Sequence, residues 1–372
     1  MSRKAKYDLK LFYIAIFLVV LGLIMVTSAT QIIAQERMKS PFGFFQRQAL
    51  RVALGLCVLL IFMKIPFRIY QRFSVPILLS SVFLLAAIFF WGREIRGANR
   101  TLPVFNFMLH PVEAAKLSLV IFLAAKIADW RGRIRNFRRG FLPLAGVAAV
   151  MAVMIAMQPN ISNASLIIMI SFVILFIGGC RLGHLALFGT AITAAAIPVV
   201  YRYSHVYGRI SALLNRGEDL DGLNWQVQQS LIALGSGFIF GCGPGRGHQK
   251  YSFLPDAHTD FIYSIIGEEL GAVGTVVVLV LFAFILRRAI RTARRAPNSF
   301  GYLLALGIGI TIFATAAINI AMTLGILPTA GLPLPFISYG GSSLVASLAA
   351  VGILLNISSE GQEKNRPTEH VS

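Results

Sequence analysis

Residues 11–30 read LFYIAIFLVVLGLIMVTSAT, twenty positions without a charged side chain. At about 1.5 Å per residue, such a run crosses the hydrocarbon core of a bilayer once as a helix. Arg3, Lys4, Lys6 and Lys10 stand just before it, so the stretch resembles a secretory signal. It is long enough to span, and further apolar runs follow, so a retained signal anchor is expected. Those runs lie near 47–63, 75–91, 112–128, 141–157, 163–180, 184–201, 261–286, 302–325 and 337–357. The fold expected is an all-α integral membrane protein of about ten transmembrane helices, one polytopic domain over residues 1–372.

Composition agrees. The chain is 56% hydrophobic and 13% charged over 372 residues. A soluble chain is nearer 45–50% and 25%. These figures exclude a water-soluble enzyme, a disordered tail and a fibrous repeat. At about 20 apolar residues per crossing, the apolar content suffices for about ten spans.

The net charge of +19, from 34 Lys and Arg against 15 Asp and Glu, raises nucleic acid as a partner. The positions argue otherwise. Basic residues cluster at 3–10, at Lys64, Arg68 and Arg72, and at Arg131, Arg133, Arg135, Arg138 and Arg139. Arg181 follows, then Arg287, Arg288, Arg291, Arg294 and Arg295, and last Lys364 and Arg366. With the N-terminus inside, these are alternate short loops, as the positive-inside rule requires. Both termini are then cytoplasmic, with a cytoplasmic tail at 358–372. No nucleic-acid partner is expected, because the basic runs are short, dispersed and flanked by membrane. Cys57, Cys180 and Cys242 are too far apart for a zinc or disulfide framework.

One connection is unusually long. Residues 202–258, between spans 7 and 8, form an outer loop of about 57 residues, more than joining two helices requires. The plain reading is a solvated cap. Its glycine-rich piece, Gly241 to Gly247, lacks the Lys-Ser/Thr of a phosphate-binding loop and reads as flexible.

Three places carry candidate chemistry. In PDAHTDFIYSIIGEELG (255–271), Pro255 ends the loop and Asp256 can cap a new helix. Asp260 is then expected one turn into that helix, on one face with Ser264 and Glu268, which would lie about 12 Å further along. Ionisable groups at membrane depth are costly and usually face a cavity or a partner. Asp260 could also be a dipole-stabilising acid, and Glu268 and Glu269 a buried ion pair. His258 has no metal partner at ligand spacing. Second, Glu113 and Lys116 share one face at i,i+3 just after Pro111, forming a local salt bridge or an anion contact. Third, PTAGLPLPFISYGGSS (328–343) has too many prolines for a helix and opens the last span with small residues.

These two long motifs, with WQVQQSLIALGSG (225–237), resemble the SEDS proteins of bacterial shape, elongation, division and sporulation. The resemblance covers nearly the whole chain, and the wording of the last motif is nearer the division member than the elongation member. It implies a peptidoglycan glycosyltransferase that polymerises lipid II at the outer face of the bacterial cytoplasmic membrane, at the division septum, releasing undecaprenyl diphosphate. The family's catalytic Asp maps onto Asp260, and its functional Glu and Lys onto Glu113 and Lys116. The implied partners are a class B penicillin-binding protein and other divisome proteins. Lys116 with Arg47, Arg100, Arg209 or Arg246 supplies the candidate diphosphate contacts, and His258, Ser338, Gly340 and Ser342 are further candidate substrate-binding residues. Asp256, Glu268 and Glu269 fit structural or coupling roles. No metal site is expected; for cofactors the choice stays between none and a divalent cation, Mg or Mn.

The chain departs from the family wording at three places. His110-Pro111-Val112-Glu113 replaces Gln-Pro-Ser-Glu, Asn160 replaces an acid, and Thr101 replaces Trp. Two other activities remain in competition. A lipid II flippase would use ionisable groups near the bilayer midplane, which Glu268 and Glu269 could supply. A non-enzymatic scaffold would only recruit its partner.

Overall fold

The computed structural model describes residues 7–38, 42–95, 98–104, 107–130, 132–202, 207–209, 211, 223–249, 254, 255 and 257–364. Asp256, Arg131 and most of 203–222 lie outside them.

The chain is dominated by helices. α1 (Leu9–Met38), α2 (Gly43–Lys64), α3 (Phe67–Arg72) and α4 (Ser74–Trp91) come first. α5 (Pro111–Trp130), α6 (Leu142–Ala156), α7 (Ile161–Ile177) and α8 (Leu182–Arg202) follow. α9 (Leu223–Ser236), α10 (Ile262–Arg294), α11 (Ser299–Thr323) and α12 (Gly341–Lys364) complete the order. Among the described residues, seven helices are long and apolar enough to cross a membrane: α1, α2, α4, α10, α11, α12 and the stretch Phe137–Ala156 ending in α6. The other three expected spans are also helices. α5 carries Glu113, Lys116, Lys126 and Asp129, while Ile161–Ile177 and Leu182–Pro198 are shorter.

The all-α expectation is refined by a small antiparallel sheet between α4 and α5. β1 (Arg93–Ile95), β2 (Ala98–Val104) and β3 (Phe107–Leu109) pair in the order β1-β2-β3, with Arg93 opposite Thr101 and Leu102 opposite Leu109. Strands this short leave little periodic signal in sequence. Leu102 packs with Ala87 and Ile88 of α4, which seats the sheet on the bundle.

Polar contacts define two faces. The Asp8 carboxylate accepts from Arg288 at 2.6 Å, near the end of α10, and the Asp8 N–H donates to Ser358 near the end of α12. Both ends of the described chain therefore lie on one face, the arginine-rich face. On the opposite face, the Ser342 hydroxyl at the start of α12 accepts from the His110 N–H at the start of α5, and Tyr339 N–H donates to His258 O. α2 and α12 pack closely along their lengths, as do α10 and α11. Gly22 of α1 sits against the backbone of Phe336 and Ile337, where any side chain would collide.

α10 is broken. Gly271 has φ 70° and ψ −168°, a conformation in which a side chain is strained. The break strands backbone groups that lipid cannot satisfy. The segment after α9 satisfies them: Ala272 N donates to Phe238 O at 2.8 Å and Val273 N to Ile239 O at 3.1 Å. In return Cys242 N donates to Glu268 O and Gly243 N to Glu269 O. α9 runs alongside the first turns of α10, since Ser230 meets Ser264 and Gly237 meets Gly267. The chain then turns back with Phe238 and Phe240 80% or more exposed.

This corrects the reading of the glycine-rich piece as a flexible loop and, for the described residues 223–249, of the connection as a solvated cap. Residues 237–249 are packed against a helix break. The glycines are needed for backbone approach: a Cβ on Gly241 would lie 2.2 Å from Glu269 O.

Candidate functional site

The second motif begins where the chain climbs back from this hairpin. His258 packs edge-on against Phe44 and Tyr339, at 5.7 and 5.6 Å between ring centroids. The Ser338 hydroxyl donates to Thr259 O at 2.5 Å and accepts from Leu334 N at 2.8 Å. The Asn319 amide, fully buried in α11, donates to both Asp260 O and Leu332 O, at 2.8 and 2.7 Å. Two motifs distant in sequence are thereby pinned to each other through backbone carbonyls.

Asp260 is not one turn into a helix, as the spacing suggested. α10 starts at Ile262, after Phe261 with φ −109° and ψ 19°, so Asp260 belongs to the preceding turn. The expected shared face with Ser264 and Glu268 is therefore absent. Ser264 is instead hydrogen-bonded to Ser230 at 2.6 Å. Glu268 accepts from His248 N at 2.5 Å and Gln249 N at 3.2 Å. Glu269 accepts from Ser28 Oγ at 2.6 Å and Gly245 N at 3.0 Å. Both carboxylates are buried and anchor the hairpin by accepting from its backbone N–H groups, Glu269 from the Ser28 hydroxyl as well.

Around Asp260 the fold gathers cations. A Cβ on Gly331 would lie 3.8 Å from Asp260 Oδ2 and 3.9 Å from Arg100 Nη1, so the loop before α12 threads between them. Arg100 projects from β2, and its guanidinium donates to the carbonyls of Gln158 and Pro159. Burial pushes the Arg100 guanidinium below its ordinary range, nearby Arg209 adds to that shift, and Asp260 opposes it. Arg209 is likewise lowered by burial and supported by Asp260. Arg100 and Arg209 thus both lie within electrostatic reach of the Asp260 carboxylate.

A second chamber adjoins. A cavity of about 320 Å³ lies between α2, α5 and α12, lined by Arg51, Met108, His110, Glu113, Leu117 and Ser342 among others. Glu113 and Lys116 are buried and bonded at 2.9 Å, as the i,i+3 spacing anticipated. The Arg51 guanidinium lies 4.5 Å from the centre of the Tyr339 ring, and Gly341 leaves room for its side chain. Burial holds the His110 pKa below the ordinary imidazole value; Glu113 opposes that shift, and Arg100, Arg51 and Lys116 add to it. The chamber adjoins the Asp260 turn through Tyr339, which packs against both Arg51 and His258.

The predicted residues therefore separate. Asp260, Arg100 and Arg209 come together, and Glu113 and Ser342 meet in the chamber, while Lys116 is buried behind it on Glu113. Arg47 is exposed one turn before Arg51, Arg246 is exposed on the hairpin, and Gly340 faces open space. Ser338 is buried in backbone contacts, and Asp256 is outside the described residues. Asn160, buried in place of an acid, accepts from Asn163 Nδ2 at 3.0 Å. Sequence reasoning missed Arg51 and Asn319, although a lone charge or amide within an apolar run is itself the signal. No three His, Cys, Asp or Glu converge as a metal set among the described residues.

Comparison with known proteins finds relatives over nearly the whole chain. The family model for FtsW, RodA and SpoVE, described as cell cycle protein, matches residues 8–363. The chain is 38% identical over 358 residues to the probable peptidoglycan glycosyltransferase FtsW of Trichlorobacter lovleyi, covering 96% of this chain and 94% of that one. It is 35% identical to stage V sporulation protein E of Bacillus subtilis, covering 96% and 98%. Among solved structures, one concerning structural coordination of polymerization and crosslinking by a peptidoglycan synthase complex superposes with a TM-score of 0.77 at 26% identity, covering 95% and 98%. The rod shape determining protein RodA of Thermus thermophilus superposes with a TM-score of 0.71 at 26% identity, covering 98% and 99%.

Proposed function

The chain belongs to the FtsW, RodA and SpoVE family of cell cycle proteins, and on that premise we propose that it polymerises lipid II into peptidoglycan strands during cell division. The observation that carries the reading is the meeting of Asp260 with Arg100 and Arg209 beside Gly331. In the reaction the 4-hydroxyl of one sugar attacks the anomeric carbon of another. The new C–O bond forms as the bond to the diphosphate breaks, and undecaprenyl diphosphate leaves. The Asp260 carboxylate takes the hydroxyl proton as general base. Arg100 and Arg209 neutralise the charge that develops on the departing diphosphate. Arg51 would steady an anionic substrate in the adjoining chamber, where Lys116 acts only through its pair with Glu113. Should a divalent cation take part, Asp260 is the carboxylate that would meet it, and a magnesium titration of the polymerisation rate tests this.

In this reading the site face is the outer face. α5, α7 and α8 complete ten spans with the seven long apolar helices, and both termini are cytoplasmic. A tag inserted at residue 215 would then be reached from outside in spheroplasts, and its protection there would overturn the orientation. The family likeness and the synthase-complex neighbour support a class B penicillin-binding protein as partner and the division septum as location. The flippase reading loses support because Glu268 and Glu269 are occupied by hairpin N–H groups and Ser28.

The test uses the purified full chain with its penicillin-binding partner and lipid II, read as glycan length on a gel. Wild type is expected to make polymer and Asp260→Asn none. Polymer that persists in Asp260→Asn would sink the general-base assignment. Lipid II crossing liposomes without polymer from wild type would favour transport.

A further inference from the structure

The opposite, arginine-rich face holds a feature that polymerisation does not use. A groove of about 540 Å³ opens between α10 and α11. Arg287, Arg291, Arg294 and Arg295 line it toward the end of α10, and Ala283, Leu286, Ile290 and Phe313 supply its apolar lining. The positions 283, 286, 287, 290, 291, 294 and 295 recur at helical spacing, so they form one face of α10. From Arg294 to Ala283 the groove follows the helix for about 16 Å, from the polar boundary toward the membrane interior.

The charges on this face are arranged unlike those beside them. Arg288, on another side of the same helix, is neutralised by Asp8 at 2.6 Å and is mostly buried. The four groove arginines are exposed, and among the described residues none has a carboxylate partner. A positive-inside signal requires only that basic residues lie on one side of the membrane. It does not require four of them to converge over a channel whose far end is apolar. That combination, a cationic mouth over an apolar throat, matches a molecule with an anionic head and a hydrocarbon tail. Arginine suits a phosphodiester in particular, because its fork donates to two phosphate oxygens at once. The volume falls within the range of about 300–1,000 Å³ usual for small-molecule sites.

We propose that this groove binds an anionic phospholipid of the adjacent leaflet, with its phosphate among Arg287, Arg291, Arg294 and Arg295 and one acyl chain along Leu286, Ile290 and Phe313. Such a lipid would neutralise the end of α10 and wedge it against α11.

The experiment is native mass spectrometry of the purified full chain. The protein is equilibrated with detergent micelles containing palmitoyl-oleoyl phosphatidylglycerol or phosphatidylcholine of the same acyl chains, and retained lipid is counted. Wild type should retain the glycerol lipid preferentially. The variant R287Q/R291Q/R294Q/R295Q should lower its occupancy at least about tenfold, given about 1 kcal/mol per basic residue facing an anionic lipid. Ile290→Trp keeps every charge but fills the throat, and should lower occupancy by a similar factor. A control with equal charge loss, R133Q/R135Q/R138Q/R139Q, should change it less than about twofold. Undiminished retention in both groove variants would overturn the proposal. So would equal loss in the control, or tailless glycerophosphoglycerol competing as well as the intact lipid, which would make this a free-anion site.

Discussion

The two halves of α10, on either side of Gly271, share one helix and obey different rules. Residues from Ile262 to Glu269 are all buried and are held by hydrogen bonds: Ser264 to Ser230, Glu268 and Glu269 to the hairpin. Beyond the break, Val276 and Val280 are 56% and 55% exposed, while Val278, Phe282 and Ile285 turn inward. The lower half is an uninterrupted helix whose backbone satisfies itself, so only apolar fit to lipid and to neighbouring helices matters. The upper half gives up continuity, and each freed N–H and C=O must find a partner in the hairpin. Asp260 stands in the turn just before this half, where Asn319 holds its carbonyl on the site face.

The largest expected effect comes from the residue this arrangement delivers. Asp260→Asn should lower the rate of glycan polymerisation by at least about 10²-fold, the lower end for a lost general base. Its thermal unfolding in detergent should stay close to wild type, because backbone contacts hold the turn. A large fall in stability would mean that the carboxylate is structural.

Next comes the break itself. Gly271→Ala forces a side chain into φ 70° and within 2.3 Å of Ile239 O. We expect a loss of about 3 kcal/mol or more, read as a lower unfolding temperature or loss of the monodisperse species. Tolerance of alanine there would break the contrast between the halves.

Glu268→Ala should cost about 1–3 kcal/mol, because it leaves the N–H groups of His248 and Gln249 without their acceptor in a buried place. Glu268→Gln keeps an acceptor oxygen and should cost less. The order of the two unfolding temperatures checks whether acceptance or charge matters. The smallest effect belongs to the lower half: Val280→Leu should stay within about 0.5 kcal/mol of wild type. A shift as large as that of Glu268→Ala would show that the lower half is packed as specifically as the upper.

Several of these features could be read from residues. Each expected span coincides with a helix, because an apolar run of that length has one stable form in lipid. The Glu113–Lys116 pair followed from local spacing. Asp260 was identified by its motif, but its expected place on a helix face was wrong, because the turn that excludes it from α10 is held by Asn319 and Ser338, 59 and 78 positions away. The glycine-rich stretch was misread because glycine marks flexibility and tight backbone approach alike, and only the neighbouring helix break tells them apart. Arg51 was passed over because the cavity it lines is built by three helices distant in the chain.

By itself, then, the sequence determined that the chain lives in a membrane, how its helices divide and which side is basic. Those properties depend on composition and local period, and each segment meets the bilayer independently. Only the tertiary structure decided that Arg100 and Arg209 flank Asp260, that the hairpin repairs a broken helix, and that four arginines converge over an apolar groove. These depend on contacts between segments up to hundreds of positions apart, for which the local pattern of residues carries no register.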